Sequence, residues 1–131
     1  MRKVFVCIIA FALFTAALPQ QAACAKAMPL SSDTFTSTSI SVSISGSANF
    51  SALVRYPCTI SVSNCTLQKQ VNGRWVFAAS LTPPPSKANT VRYSAKKDYS
   101  SDMASGVTYR IVATFSADGE SVIATSGSIT Y

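Results

Sequence analysis

Five carboxylates, four cysteines and no histidine bound the chemistry this chain can do. The acids are Asp33, Asp98, Asp102, Asp118 and Glu120. A pair that works on a glycosidic bond must face each other across a cleft. Four of the five stand in turn or leader contexts, and Asp118 and Glu120 flank Gly119, which reads as a hairpin turn. The many serines lack the usual base, and no local motif points to a Ser-Lys dyad. The sequence therefore leads us to expect a protein that is not an enzyme and uses no cofactor.

The cysteines divide by position. Cys7 lies in an apolar N-terminal run and Cys24 close behind it, whereas Cys58 and Cys65 lie in the body of the chain. The spacing C-x6-C without histidine is no zinc site, so no metal is expected. An even pair in an oxidising compartment makes Cys58 and Cys65 the disulfide candidates. A continuous strand advances ~3.3 Å per residue, which would hold them ~23 Å apart. Bridging needs Cα atoms within ~7 Å, so the bond forms only if the chain turns between them. Val62-Ser63-Asn64 offers a turn, and the apolar parity flips there from Ile60 and Val62 to Cys65 and Leu67. A disulfide and two small buried thiols both remain open.

Trp75, the only tryptophan, sits in LQKQVNGRWVFAAS. Asn72-Gly73 between two apolar-rich runs is a strong hairpin signal. Trp75 and Phe77 then share one face of the second strand, and a lone tryptophan in a sandwich usually packs between sheets. A core plug is the preferred reading. The alternative is a ligand platform for sugar stacking, made of Trp75 with Tyr93 or Tyr99.

The elements that must position these residues begin after the front of the chain. Met1-Arg2-Lys3 and VFVCIIAFALFTAAL, followed by Pro19 and small residues, outline a signal peptide over residues 1–25. Cleavage after Ala25, or after Ala27, would follow the A-x-A sites. An uncleaved anchor or lipidation at Cys24 are the alternatives, the second weakened by a glutamine where an aliphatic residue belongs. Without Arg2 and Lys3, nine basic residues face five acidic ones, a net charge of +4. The basic residues are scattered, and a nucleic-acid footprint would need a stripe or patch. No nucleic-acid partner and no membrane span after cleavage are expected.

Residues 26–35 read as a flexible leader and 36–131 as one domain, since domains commonly run ~100 to 150 residues. TSTSISVSISG alternates, with Ile40, Val42 and Ile44 on one face. ANFSALVRYP does the same through Phe50, Ala52, Val54 and Tyr56 until Pro57, which cannot donate to a ladder. CTISVSNCTLQKQ and RWVFAAS form the hairpin, and TPPPSKAN is a stiff extended loop because each proline fixes φ. TVRYSAKKDY is a strand and SSDMASG a turn-rich connection. VTYRIVATFSA places Tyr109, Ile111, Ala113 and Phe115 on one face, and SVIATSGSITY closes the chain as a last strand. Roughly seven antiparallel strands at this spacing predict an all-β sandwich.

SGVTYRIVATF resembles the start of the sixth strand of immunoglobulin-like and fibronectin type III domains. That resemblance implies a tyrosine-corner role for Tyr109, its hydroxyl bonding back to the backbone. Position 111 is Ile where an antibody-type domain has its cysteine, so the immunoglobulin disulfide is excluded. LQKQVNGRWV, GVTYR, FSADGE and SGSITY together resemble a group of small secreted single-domain β-sandwich proteins of Gram-positive gut bacteria, of uncharacterised function. The resemblance implies secretion and no known active site. In a bacterial chain the sequons at Asn49 and Asn64 carry no weight. The expectation is a secreted, non-catalytic interaction module with an unknown extracellular protein partner. The alternative is a glycan-binding module.

Overall fold

The computed structural model describes residues 32–131. The expected signal peptide, its cleavage sites, Cys7, Cys24 and most of the leader lie outside the described residues. Seven strands form: β1 Phe35–Val42, β2 Ser47–Val71, β3 Arg74–Ser80, β4 Lys87–Asp98, β5 Thr108–Ala117, β6 Glu120–Thr125 and β7 Ile129–Thr130. All pair antiparallel within one sheet. The expected all-β architecture of about seven antiparallel strands is observed.

The spine is β2, a single strand of 25 residues. Its first half pairs β1 on one edge and β4 on the other; its second half pairs β5 and β3 on the same two edges. The sequence marks the handover. Pro57 has no N–H to give, and the β1 ladder ends at Val54 while the β4 register breaks between Leu53 and Cys58. The strand nonetheless runs on through Pro57, so two runs that read as separate strands are one. At the other end of the chain, the single last strand expected from SVIATSGSITY is divided into β6 and β7. Buried Ser126 spans the division: its amide donates to the Ile111 carbonyl at 2.8 Å, and its Oγ accepts the Ile111 amide at 2.8 Å.

Curling of the sheet brings the inward faces of the two halves together, as in a sandwich. Ile40, Phe50, Ala52, Val54 and Tyr93 come from the first half, and Ile60, Val62, Leu67, Ile111, Ala113 and Phe115 from the second. Phe115 meets Phe50 with ring centroids 6.5 Å apart and Tyr93 edge-on at 6.3 Å. These are favourable aromatic separations, and truncating such a buried ring costs ~3 to 5 kcal/mol. β5 keeps strict alternation of buried and half-buried residues along its length, as its sequence period requires.

The parity flip between Val62 and Cys65 is a bulge, not a reversing turn. Asn64 takes φ 48°, and the β5 register shifts between Ser63 and Thr66. One inserted residue moves the inward face from even to odd positions, so that Cys65 and Leu67 join the core. Both two-residue hairpin turns follow the expected chemistry, with positive φ at Asn72-Gly73 and at Asp118-Gly119. The start of the domain is earlier than expected: Thr34 and Phe35 are buried, and β1 begins within the segment read as leader.

Candidate functional site

The disulfide candidates are not joined. Cys58 and Cys65 are free thiols, Cys58 half-buried and Cys65 buried. They lie on the same uninterrupted strand, and the intervening bulge turns a side chain over without reversing the chain. The separation that forbids bridging along a continuous strand therefore applies. The Cys65 thiol sits 3.9 Å from the Tyr99 hydroxyl, and burial pushes its pKa up.

Tyr93 and Tyr99 do not share a surface with Trp75. They are 0% and 3% exposed, so the three-ring ligand platform is not assembled. Their hydroxyls serve the proline loop instead. Tyr99 donates to the Thr82 carbonyl at 2.6 Å, and Tyr93 donates to the Pro85 carbonyl at 2.8 Å. Consecutive prolines supply carbonyls but no amides, so such a loop can be held only through donors from elsewhere. Pro84 within the loop and Leu81 just before it are buried, and the Leu81 amide donates to the Cys65 carbonyl at 2.8 Å. Desolvation raises the pKa of both phenols.

Trp75 is not the core plug that the hairpin pattern suggested. It is half-buried on the outer face of the sheet, opposite Gln70 on β2. The physical reason is the bulge at Asn64. It sends Leu67 inward, which leaves Gln68 and Gln70, and hence their partners Phe77 and Trp75, pointing out. Arg110 of β5 lies over the Trp75 ring, 4.4 Å from its centroid, with its Nε donating to Gln68 Oε1 at 2.7 Å. That cation covers the indole and is held by the amide. Phe77, next on this face, is 64% exposed.

Tyr109 is buried, and its hydroxyl accepts the Ala104 amide at 2.8 Å, a bond to the backbone five residues upstream.

Three of the five carboxylates hold turns and ends. Asp98 Oδ1 accepts the Ser100 amide at 2.9 Å at the start of the short 3-10 turn Ser100–Asp102, and that bond holds its pKa down. Asp118 accepts the Tyr56 hydroxyl at 2.7 Å, and Glu120 accepts the Thr34 amide at 3.1 Å. Hydrogen bonds from Ser32, and then from Thr34, keep the Glu120 carboxyl below its ordinary value. Among the described residues no group of three or more His, Cys, Asp or Glu side chains could hold a metal ion. The best-supported site is thus a surface: Trp75 and Phe77 on β3, Gln68 and Gln70 on β2, and Arg110 on β5. Sequence reasoning singled out Trp75, as a core plug or as a platform with Tyr93 or Tyr99, named Phe77 only as its neighbour on that face, and missed Arg110, whose place over Trp75 depends on the pairing of β2 with both β3 and β5. No protein-family model, curated protein or solved structure matches the chain.

Proposed function

We propose that the chain is a secreted, non-catalytic interaction module that binds an extracellular protein through the outer face of the β2–β3 hairpin. The observation that carries this reading is Phe77, a large ring left 64% exposed on an edge strand beside the Trp75–Arg110 stack. Aromatic residues and arginine are the side chains that interface centres favour, because they combine wide apolar contact with a polar handle. Secretion rests on the N-terminal charge, apolar run and A-x-A sites.

A glycan-binding role is favoured less. A sugar platform uses open ring faces; here Tyr93 and Tyr99 are in the core and Arg110 covers Trp75, which leaves Phe77 as the one open ring of this surface.

The test compares the wild type with Phe77→Ser and Trp75→Ala for binding to purified extracellular proteins and to a glycan array. Near-UV circular dichroism monitors the fold. The expected result is a protein ligand whose binding falls with Phe77→Ser while the fold persists. Array binding abolished by Trp75→Ala would replace this reading with the glycan one. Intact mass of the processed protein from culture tests secretion, with Lys26–Tyr131 as the expected species.

A further inference from the structure

The β2–β3 hairpin carries exposed or half-buried apolar side chains on both of its faces. Trp75 and Phe77 lie on the outer one; Val71 and Val76 lie on the other, 42% and 37% exposed. That second face is the core face further along the sheet, where Leu67 is fully buried. The core ends near Tyr109, which is paired with Lys69, and the hairpin continues past it, leaving Val71 and Val76 exposed among the described residues. β3 pairs only with β2, and among the described residues its outward backbone groups meet no hydrogen-bond partner. Two strands alone are marginal in water, whereas three or more with an apolar face hold together.

The other outer strands are better guarded against pairing. β4 carries Lys87, Arg92, Lys96 and Lys97. β6 opens with Glu120, tied to the Thr34 amide, and β1 presents serines and threonines. β3 has one charge, Arg74, at its first residue, and no proline. Edges of this composition are the ones that accept another strand.

We propose that the partner for this edge is a second copy of the same chain, joined β3 to β3 antiparallel about a two-fold axis at Val76. The proposal rests on the reading of this hairpin as a docking surface and names its occupant. Self-complementarity selects the copy. In that register Trp75 stands opposite Phe77 of the second copy, and Phe77 opposite its Trp75, so both exposed rings gain cross-strand aromatic partners. Val76 meets Val76 on the other face. Arg74 falls opposite Ala78, so the only charge on β3 never faces its like. A two-fold interface of this kind closes on itself and makes a dimer rather than a fibre. The four central strands become β2-β3-β3-β2.

The test is sedimentation and light scattering on the processed protein, kept reduced because Cys58 is a free thiol, with Val76→Lys, Val76→Asp and an equal mixture of the two. Val76 opposes itself across the axis, so the proposal expects a dimer mass for the wild type and a monomer mass for each variant alone. It also expects return of the dimer mass in the mixture, and no change for Ile123→Lys on β6, where Ile123 is 71% exposed. Circular dichroism checks that the variants fold. A dimer that survives Val76→Lys, or a mixture that stays monomeric, overturns the proposal. So does a wild type that stays monomeric at every soluble concentration. If such a monomer still loses a protein ligand on Phe77→Ser, the docking surface stands and only the self-pairing falls.

Discussion

The two aromatic residues after the hairpin turn differ from the aromatic residues of the core in what their removal costs. Trp75 is half-buried and held by Arg110, and a cation over an aromatic face at an exposed site contributes ~0.5 to 1 kcal/mol. Trp75→Ala should therefore destabilise by about 1 kcal/mol in urea unfolding. Phe115→Ala, which empties a site between Phe50 and Tyr93, should cost about 3 to 5 kcal/mol. Equal costs would return Trp75 to the core. The two thiols make a second comparison at this scale. Burial both shields Cys65 and raises its pKa, so it lacks the thiolate that reacts, whereas Cys58 is half-buried. Alkylation of the native protein followed by peptide mass mapping should modify Cys58 first and Cys65 only on unfolding. Recovery of a Cys58–Cys65 bridged peptide would contradict the free thiols described above. A residue's own type predicted its side of the sheet well where alternation was unbroken, as at Tyr109, Ile111, Ala113 and Phe115. It predicted poorly where a hydroxyl's partner is distant. Nothing local to Tyr93 or Tyr99 says that its phenol will hold a carbonyl of the proline loop.

Elements were legible to the extent that their signals are local. The positive-φ turns at Asn72-Gly73 and Asp118-Gly119 are carried by two residues each and stand where the sequence puts them. The strand count matches for two compensating reasons. Pro57 interrupts a ladder without ending β2, and Ser126 divides a run that reads as continuous. Both depend on which neighbour a strand pairs with, which alternation alone does not encode. The turn between β1 and β2 shows how one residue couples distant elements. Gly46 has φ 85°, its carbonyl accepts the Tyr99 amide at 2.9 Å, and a Cβ there would stand 2.7 Å from the Ser100 Cα. Its backbone conformation is one that side chains resist, and the space is already filled by another backbone. Gly46→Ala should cost more than the ~1 to 2 kcal/mol of a left-handed conformation alone, because the 3-10 turn must also move. Gly127→Ala, with nothing within 4 Å, is the control and should be close to neutral. Thermal melts of the two variants separate the effects; similar melting temperatures would mean that the turn at Ser100 yields freely.

At the scale of the molecule, one long strand shared by both layers leaves the curl to be fastened where its ends approach, and polar contacts do part of this. The segment entering β1 meets the β5–β6 turn: Glu120 accepts the Thr34 amide, the Tyr56 hydroxyl contacts Thr34 Oγ1 at 3.2 Å, and Tyr56 donates to Asp118. The Glu120 carboxyl accepts more strongly when ionised, which ties this part of the closure to pH. The Glu120 carboxyl, bonded first by Ser32 and then by Thr34, titrates below its ordinary 4.5 when folded. The unfolded chain therefore binds more protons between the two values, and stability rises with pH across that window. The contribution is fully present above about 4.5 and is lost as the pH falls through the folded value. Asp98, lowered by its bond to the Ser100 amide, acts in the same direction below its ordinary 3.8. Glu120→Gln keeps an oxygen for the Thr34 amide but removes the titration. Urea midpoints measured from pH 6 to pH 3 should fall less steeply in Glu120→Gln than in the wild type. Hydrogen exchange in the wild type at the acid end should rise first around Phe35 and Glu120, while Phe50, Leu67 and Phe115 stay protected. Parallel acid slopes in the two proteins would mean that the core alone holds the curl and that the contacts at Thr34 merely decorate it.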